Sequence, residues 1–95
     1  MYVLHMEHPV PDYSSWKAAF DSDPIDRVGS GVVSYRITRP VDDDRYVLID
    51  LDFPTAELAE AALAKLQALW ANVTVTGGVT PTTRLLHVAE TSPSQ

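Results

Sequence analysis

The chain contains no cysteine. Disulfide staples, thiolate nucleophiles, iron–sulfur clusters and cysteine-bound zinc are therefore excluded. Bases are scarce as well: 7 Lys and Arg stand against 13 Asp and Glu, for a formal net charge of −6. An acidic surface repels phosphate backbones and anionic lipids, so neither nucleic acid nor a membrane is expected as a partner. Long apolar runs are missing. The most apolar stretch, Ala61–Ala71, is interrupted by Lys65 and Gln67 and is far shorter than a bilayer span. The N-terminus opens on a strand-like run with no signal-peptide pattern. Together with the lack of cysteine, this sets the expectation of a cytoplasmic protein. The 3 histidines show no H-x-H or H-E-x-x-H spacing, so no metal site is expected. No cofactor is expected either. Asp42-Asp43-Asp44 lacks the pattern of a calcium loop, and Gly77-Gly78 does not join a strand to a helix, so both read as turns.

What remains is 95 residues of ordinary composition, 45% hydrophobic. That length predicts one domain over residues 1–95. Roughly two-thirds of the open-chain surface can be hidden at this size, enough for one modest core. Tyr2–His8 mixes β-branched, aromatic and long apolar residues and reads as a strand, which ends near Pro9 because proline cannot donate to a ladder. Asp12 is placed to cap a helix that runs to about Asp21, with Tyr13, Trp16 and Phe20 on one face. Residues 22–31 read as a loop, closed by Gly29-Ser30-Gly31. Val32–Arg39 and Arg45–Phe53 form a hairpin around Pro40 and the Asp run. In the second of these strands Val47, Ile49, Leu51 and Phe53 share a face.

Thr55 is the expected cap of a second helix, with Leu58 as its first apolar anchor. Ala56–Ala71 holds 7 alanines and almost nothing β-branched, so its helix propensity is high. Leu58, Ala62, Leu66 and Leu69 make its stripe, extended by Leu63 and Trp70. Asn72–Thr80 is a glycine-containing connector, Thr82–Glu90 a last strand, and Thr91–Gln95 a polar tail. The order β-α-β-β-α-β predicts an α+β, ferredoxin-like fold: a four-stranded antiparallel sheet in the order 4-1-3-2, with two helices on one face. The strands do not alternate cleanly enough for the other face to stay bare. A homodimer packed sheet to sheet is therefore expected, through some of His5, Tyr35, Tyr46, Leu48 and His87.

The run His8-Pro9-Val10-Pro11-Asp12-Tyr13-Ser14-Ser15-Trp16-Lys17-Ala18-Ala19-Phe20-Asp21 resembles the "H-x-V-x-D-[YF]-x-x-W-K-x-x-F-D" opening of a group of small bacterial proteins. That group belongs to the dimeric α/β-barrel superfamily, near the antibiotic-biosynthesis-monooxygenase-like proteins. Arg27, Gly31, Tyr35-Arg36 and Arg39-Pro40 resemble its second strand, Tyr46–Phe53 its third, and Ala61 to Trp70 its second helix. The resemblance implies a dimeric α/β barrel with a pocket between sheet and helices. Relatives include cofactor-free oxygenases of aromatic polyketides, haem-degrading enzymes, polyketide cyclases, muconolactone isomerases and stress-responsive proteins. It offers Trp70, Asn72, Tyr35 and Arg84 as counterparts of the Trp, Asn, Tyr and Arg that the cofactor-free oxygenases use. It does not favour haem, because the first strand has no Asn and the only later histidine is His87.

Individual residues carry two readings each. His8, beside Pro9 and the Asp12 cap, is the candidate general base, its tautomer held by a carboxylate; otherwise it ties the first strand to the first helix. Trp16 and Trp70, with Tyr13 and Phe20, either belong to the core or wall an aromatic ligand's cavity. Arg27 either closes over an anionic substrate or pairs with Asp23. Arg36 and Arg39 are expected across the hairpin from Asp50 and Asp52. His8 as catalytic residue, with Trp16, Arg27 and Trp70 binding substrate, makes an oxygenase-like or cyclase-like enzyme acting on an aromatic or polyketide-like molecule. The alternative is a non-catalytic ligand-binding or stress-associated dimer. The expected partners are a second copy of the chain and a small aromatic ligand.

Overall fold

The structure is a computed structural model and describes residues 1–71 and 80–93. The connector with Gly77-Gly78, and with it Asn72, lies outside the described residues. The elements are β1 (Tyr2–Pro9), α1 (Tyr13–Asp21), β2 (Ser34–Thr38), β3 (Tyr46–Phe53), α2 (Ala56–Trp70) and β4 (Thr82–His87). They build one sheet in the order β2-β3-β1-β4, with every neighbouring pair antiparallel. This is the ferredoxin-like arrangement expected from the element order.

Local chemistry sets the boundaries. The Asp12 carboxylate accepts from the Ser15 amide at 2.9 Å and from its hydroxyl at 2.8 Å, which fixes the start of α1. Asp23, at φ 57°, turns the chain out of the helix just before Pro24. Thr55 Oγ1 accepts from the Leu58 amide at 3.2 Å to start α2, and Glu57 sits favourably in its positive first turn. β2 is shorter than its composition suggests, because the Val32 amide bonds to the Arg27 carbonyl inside the loop, not to the ladder. β4 stops at His87 rather than Glu90. The Val88 amide donates to the carbonyl of Met1, one step beyond the last register pair, Tyr2 with His87.

Register sorts the side chains. Leu4, Met6, Val47, Ile49, Leu51 and Phe53 point to the helices and form one buried cluster with Val10, Ile25, Ala59, Ala62 and Leu66. Two expectations are corrected here. Leu58 is 36% exposed and Ala59, at 1%, takes the core position. Leu58 packs instead on the loop, where a Cβ at Gly31 would come within 2.9 Å of its Cδ1. The α1 aromatics lie on the core rather than in it: Tyr13, Trp16 and Phe20 are half-buried, and no residue of α1 is buried.

A third correction concerns the outer face. Tyr35 pairs with Leu51 and His87 with Tyr2, so both share the helix side of the sheet with those partners. Neither belongs to the sheet face expected to meet a second copy. His5, Tyr46 and Leu48 do lie on that face, with Val3 and Leu86.

Candidate functional site

His8 is the last residue of β1 before Pro9, so the strand delivers its ring to the start of α1. There it meets Trp16 edge-on, with ring centroids 6.1 Å apart. His8 Nδ1 lies 2.9 Å from the Pro9 carbonyl oxygen. A carbonyl only accepts, so Nδ1 carries the proton and Nε2 keeps its lone pair. Half-burial pushes the His8 pKa down, and the bond to Pro9 offsets part of that. The ring is thus a neutral base near neutral pH. The carboxylate expected to orient it does not: Asp12 is committed to Ser15, and the neighbouring backbone carbonyl holds the tautomer.

The rings continue along α1. Trp16 lies 5.8 Å from Tyr13 and 5.3 Å from Phe20, and Phe20 meets Tyr35 of β2 at 5.2 Å. The spacing of three and four along the helix aligns these rings, and Tyr35 joins them from the sheet because its register turns it to the helix side. A cation closes each end. The Arg39 guanidinium sits 4.1 Å above Tyr13. That of Arg27 sits 4.1 Å above Phe20 and 5.1 Å above Tyr35. Arg27 Nη1 also donates to the Phe20 carbonyl at 2.7 Å and lies 3.4 Å from Asp23. The expected pairing with Asp23 therefore exists alongside a position over the rings.

His8 and Trp16 are thus in contact, and Arg27 joins them through Phe20. Trp70 ends α2 and packs against the buried cluster, but pairs with no other ring among the described residues. The chain direction places it at the end of the sheet where β1 finishes, since α2 runs back from Phe53 toward the start of β3. The oxygenase counterparts do not assemble as a set. Tyr35 is on the helix side, Arg84 faces outward opposite His5, and Asn72 lies outside the described residues. Two surface grooves, of about 370 and 430 Å³, open elsewhere. Neither is lined by His8, Trp16, Arg27 or Trp70.

One polar network escaped sequence reading. On the outer face, His5 Nδ1 donates to Asp50 at 2.7 Å and Nε2 donates to Glu7 at 2.8 Å. The Tyr46 hydroxyl donates to the other Glu7 oxygen at 2.9 Å. The Glu7 bond, followed by that to Asp50, raises the His5 pKa; His5 and then Tyr46 lower that of Glu7. Asp52 accepts from Ser34 at 2.6 Å, and no ion pair joins Arg36 to Asp50 or Arg39 to Asp52, contrary to the expected hairpin bridges. The His-x-Glu spacing on β1 was visible in the sequence, but Asp50 enters only through the register of β1 with β3. Among the described residues no cluster of His, Asp and Glu side chains is placed to hold a metal ion. None of the helices is long and apolar enough to cross a membrane, again among the described residues.

No protein-family model matches the chain, and no curated protein matches it. Solved structures do, and they place it among ferredoxin-like proteins. Two structures of SnoaB, a cofactor-independent oxygenase from Streptomyces nogalater, align with TM-scores of 0.76 and 0.68 at 16% and 14% identity, each over 98% of this chain and 97% and 96% of SnoaB. A dimeric ferredoxin-like protein from an uncultured marine organism aligns at 0.73 and 12% identity, over 96% of this chain and 97% of that one. A candidate antibiotic biosynthesis monooxygenase from Nitrosomonas europaea aligns at 0.65 and 15% identity, over 90% and 86%. At such identities the likeness establishes the fold.

Proposed function

We propose that this protein is a homodimeric α/β barrel that binds an aromatic, polyketide-like molecule beside α1 and transforms it without a cofactor, in an oxygenase-like or cyclase-like reaction. His8 is the general base, and Trp16, Arg27 and Trp70 contact the substrate. The observation that carries this reading is the state of His8. Its Nδ1 proton is held by the Pro9 carbonyl, its Nε2 has no hydrogen-bond partner among the described residues, and its ring abuts the half-buried face of Trp16. A neutral imidazole so held can take a proton from a phenol or an activated carbon. Arg27 supplies a fixed positive charge beside the rings, where an anion formed by that step would be stabilised. The similarity to SnoaB in fold supports the chemistry by analogy, and the dimeric marine protein supports the assembly.

A second reading has its own support. The rings of His8, Trp16, Phe20 and Tyr35 fill the space beside α1 against one another, as in a packed layer. A non-catalytic ligand-binding or stress-associated dimer accounts for that. Titrating polycyclic phenols against the protein by Trp fluorescence, and assaying turnover in wild type and His8→Ala, separates the two. The enzyme reading expects wild-type turnover that is abolished in His8→Ala, with ligand binding and fold retained. Binding with no turnover in wild type selects the second reading. Absence of any aromatic binding removes the enzyme reading and leaves the stress-associated dimer.

A further inference from the structure

Among the described residues no helix covers the outer face of the sheet, and the charges of that face belong to every strand. Glu7 comes from β1 and Asp50 and Asp52 from β3; His5 comes from β1, Arg36 from β2 and Arg84 from β4. The register places Arg84 directly opposite His5 and Arg36 directly opposite Asp50. We infer that the Glu7–His5–Asp50 triad is a proton-dependent clasp, which lets two copies of this chain pair through their outer sheet faces at low pH and releases them as the pH rises. The inference rests on the dimer proposed above and adds its control.

The occupant follows from charge. The chain as a whole is strongly acidic, with a formal net charge of −6, so two copies repel over most of their surface. With His5 protonated, the three carboxylates of the outer face are matched by three cations, and this face is neutral. A neutral face meets its own twofold image without like-charge cost. Val3, Leu48 and Leu86 lie on the same face as apolar positions, and Leu86 is 40% exposed in the single chain. Covering them drives association.

The proton decides whether that neutrality holds. Both imidazole nitrogens face carboxylate oxygens, at 2.7 and 2.8 Å, and each must donate. Carboxylates only accept, so the bridged ring is the imidazolium. Removing one proton sets a ring lone pair against a carboxylate lone pair. It also leaves each face one negative charge in excess, in a place withdrawn from water. Tyr46 holds the second Glu7 oxygen, so Glu7 cannot swing clear without losing that bond too. The bonds to Glu7 and Asp50 raise the His5 pKa above its ordinary 6.5. The paired state holds the proton, so pairing is complete below that ordinary value and is lost as the pH climbs through the raised one.

Sedimentation equilibrium of the full chain at pH 6 and pH 9, with circular dichroism at both, tests this. The dimer dissociation constant is expected to rise at least about tenfold from pH 6 to pH 9, because one proton leaves each protomer. His5→Gln is expected to pair equally at both pH values. Glu7→Gln leaves the face neutral with an uncharged His5, so it is expected to pair at pH 9 at least as tightly as at pH 6. A wild-type dimer whose constant is the same at both pH values overturns the clasp and leaves the dimer standing. So does a Glu7→Gln dimer that weakens with pH as the wild type does. A folded wild-type monomer at about 100 µM at both pH values overturns the clasp together with the dimer on which it rests.

Discussion

Two histidines three residues apart on β1 behave as opposites. His8 lies on the helix side, half-buried against Trp16, and donates one proton to a backbone carbonyl. His5 lies on the outer side, between two carboxylates. The same side chain on the same strand has its charged form disfavoured on one face and favoured on the other. The difference comes from what each face offers: rings and a carbonyl to His8, acidic oxygens to His5. The helix side is built from aliphatic packing and ring stacking, whereas the outer side is built from compensated charge. A histidine's role in this sheet is therefore set by the parity of its position.

The strongest way to break that contrast is to cut into the packed side. Phe53→Ala removes a fully buried ring and is expected to cost about 3–5 kcal/mol in urea unfolding. Leu48→Ala, its outer-face counterpart on β3, is expected to cost under about 1 kcal/mol in a dilute, monomeric sample. Equal losses would show that the outer face is packed as a core is. Next in size, Trp16→Ala is expected to lower stability by about 2 kcal/mol and by more than Trp70→Ala, because Trp16 touches the rings of His8, Tyr13 and Phe20. A larger melting shift for Trp70→Ala would move the weight of the helix layer from α1 to α2. Gly31→Ala follows at about 1–2 kcal/mol, since its φ of 95° is unfavourable for an L residue and the new methyl meets Leu58. An unchanged urea midpoint would show that the loop does not hold its left-handed turn in solution.

The smallest effect sharpens the contrast most. His8 has a lowered pKa, chiefly through burial, so its contribution to stability is present above pH 6.5 and is lost as the pH falls through its folded value. His5 has a raised pKa, chiefly through Glu7, so its contribution is present below pH 6.5 and is lost as the pH rises through its folded value. Imidazole proton shifts followed by NMR are expected to place His5 above 6.5 and His8 below it. Coinciding titrations would erase the difference between the faces. In Glu7→Gln the His5 midpoint is expected to fall while that of His8 stays in place.

Much of the fold was legible because its signals are local. Asp12 and Thr55 are caps readable from their own neighbours, and Val47, Ile49, Leu51 and Phe53 reveal their shared face by period two. The sheet order followed from the element order. What depends on register was not legible. Tyr35 and His87 fell on the wrong side because alternation within a strand does not say which alternate set faces the helices. The Asp50 end of the His5 bridge needs two strands aligned residue for residue. The place of His8 before Pro9 was readable, but the group that fixes its tautomer was not: a carbonyl carries no sequence signature, and Asp12 looked better suited. Leu58 misled because a loop glycine, not the sheet, receives its side chain.

The spacing of His5 and His8 has a further consequence. Side chains alternate along an extended strand, so an odd interval sends two residues to opposite faces and an even one sends them to the same face. An inserted or deleted residue between them would put both imidazoles in one environment. Both would then be set among the carboxylates or both among the rings, and the segment would lose either its ring contact with Trp16 or its bridge to Glu7 and Asp50. Replacing Met6 or Glu7 alters a contact, whereas changing the number of residues between the two histidines reassigns them. Length thus carries information in this short stretch of β1 independently of which amino acids fill it.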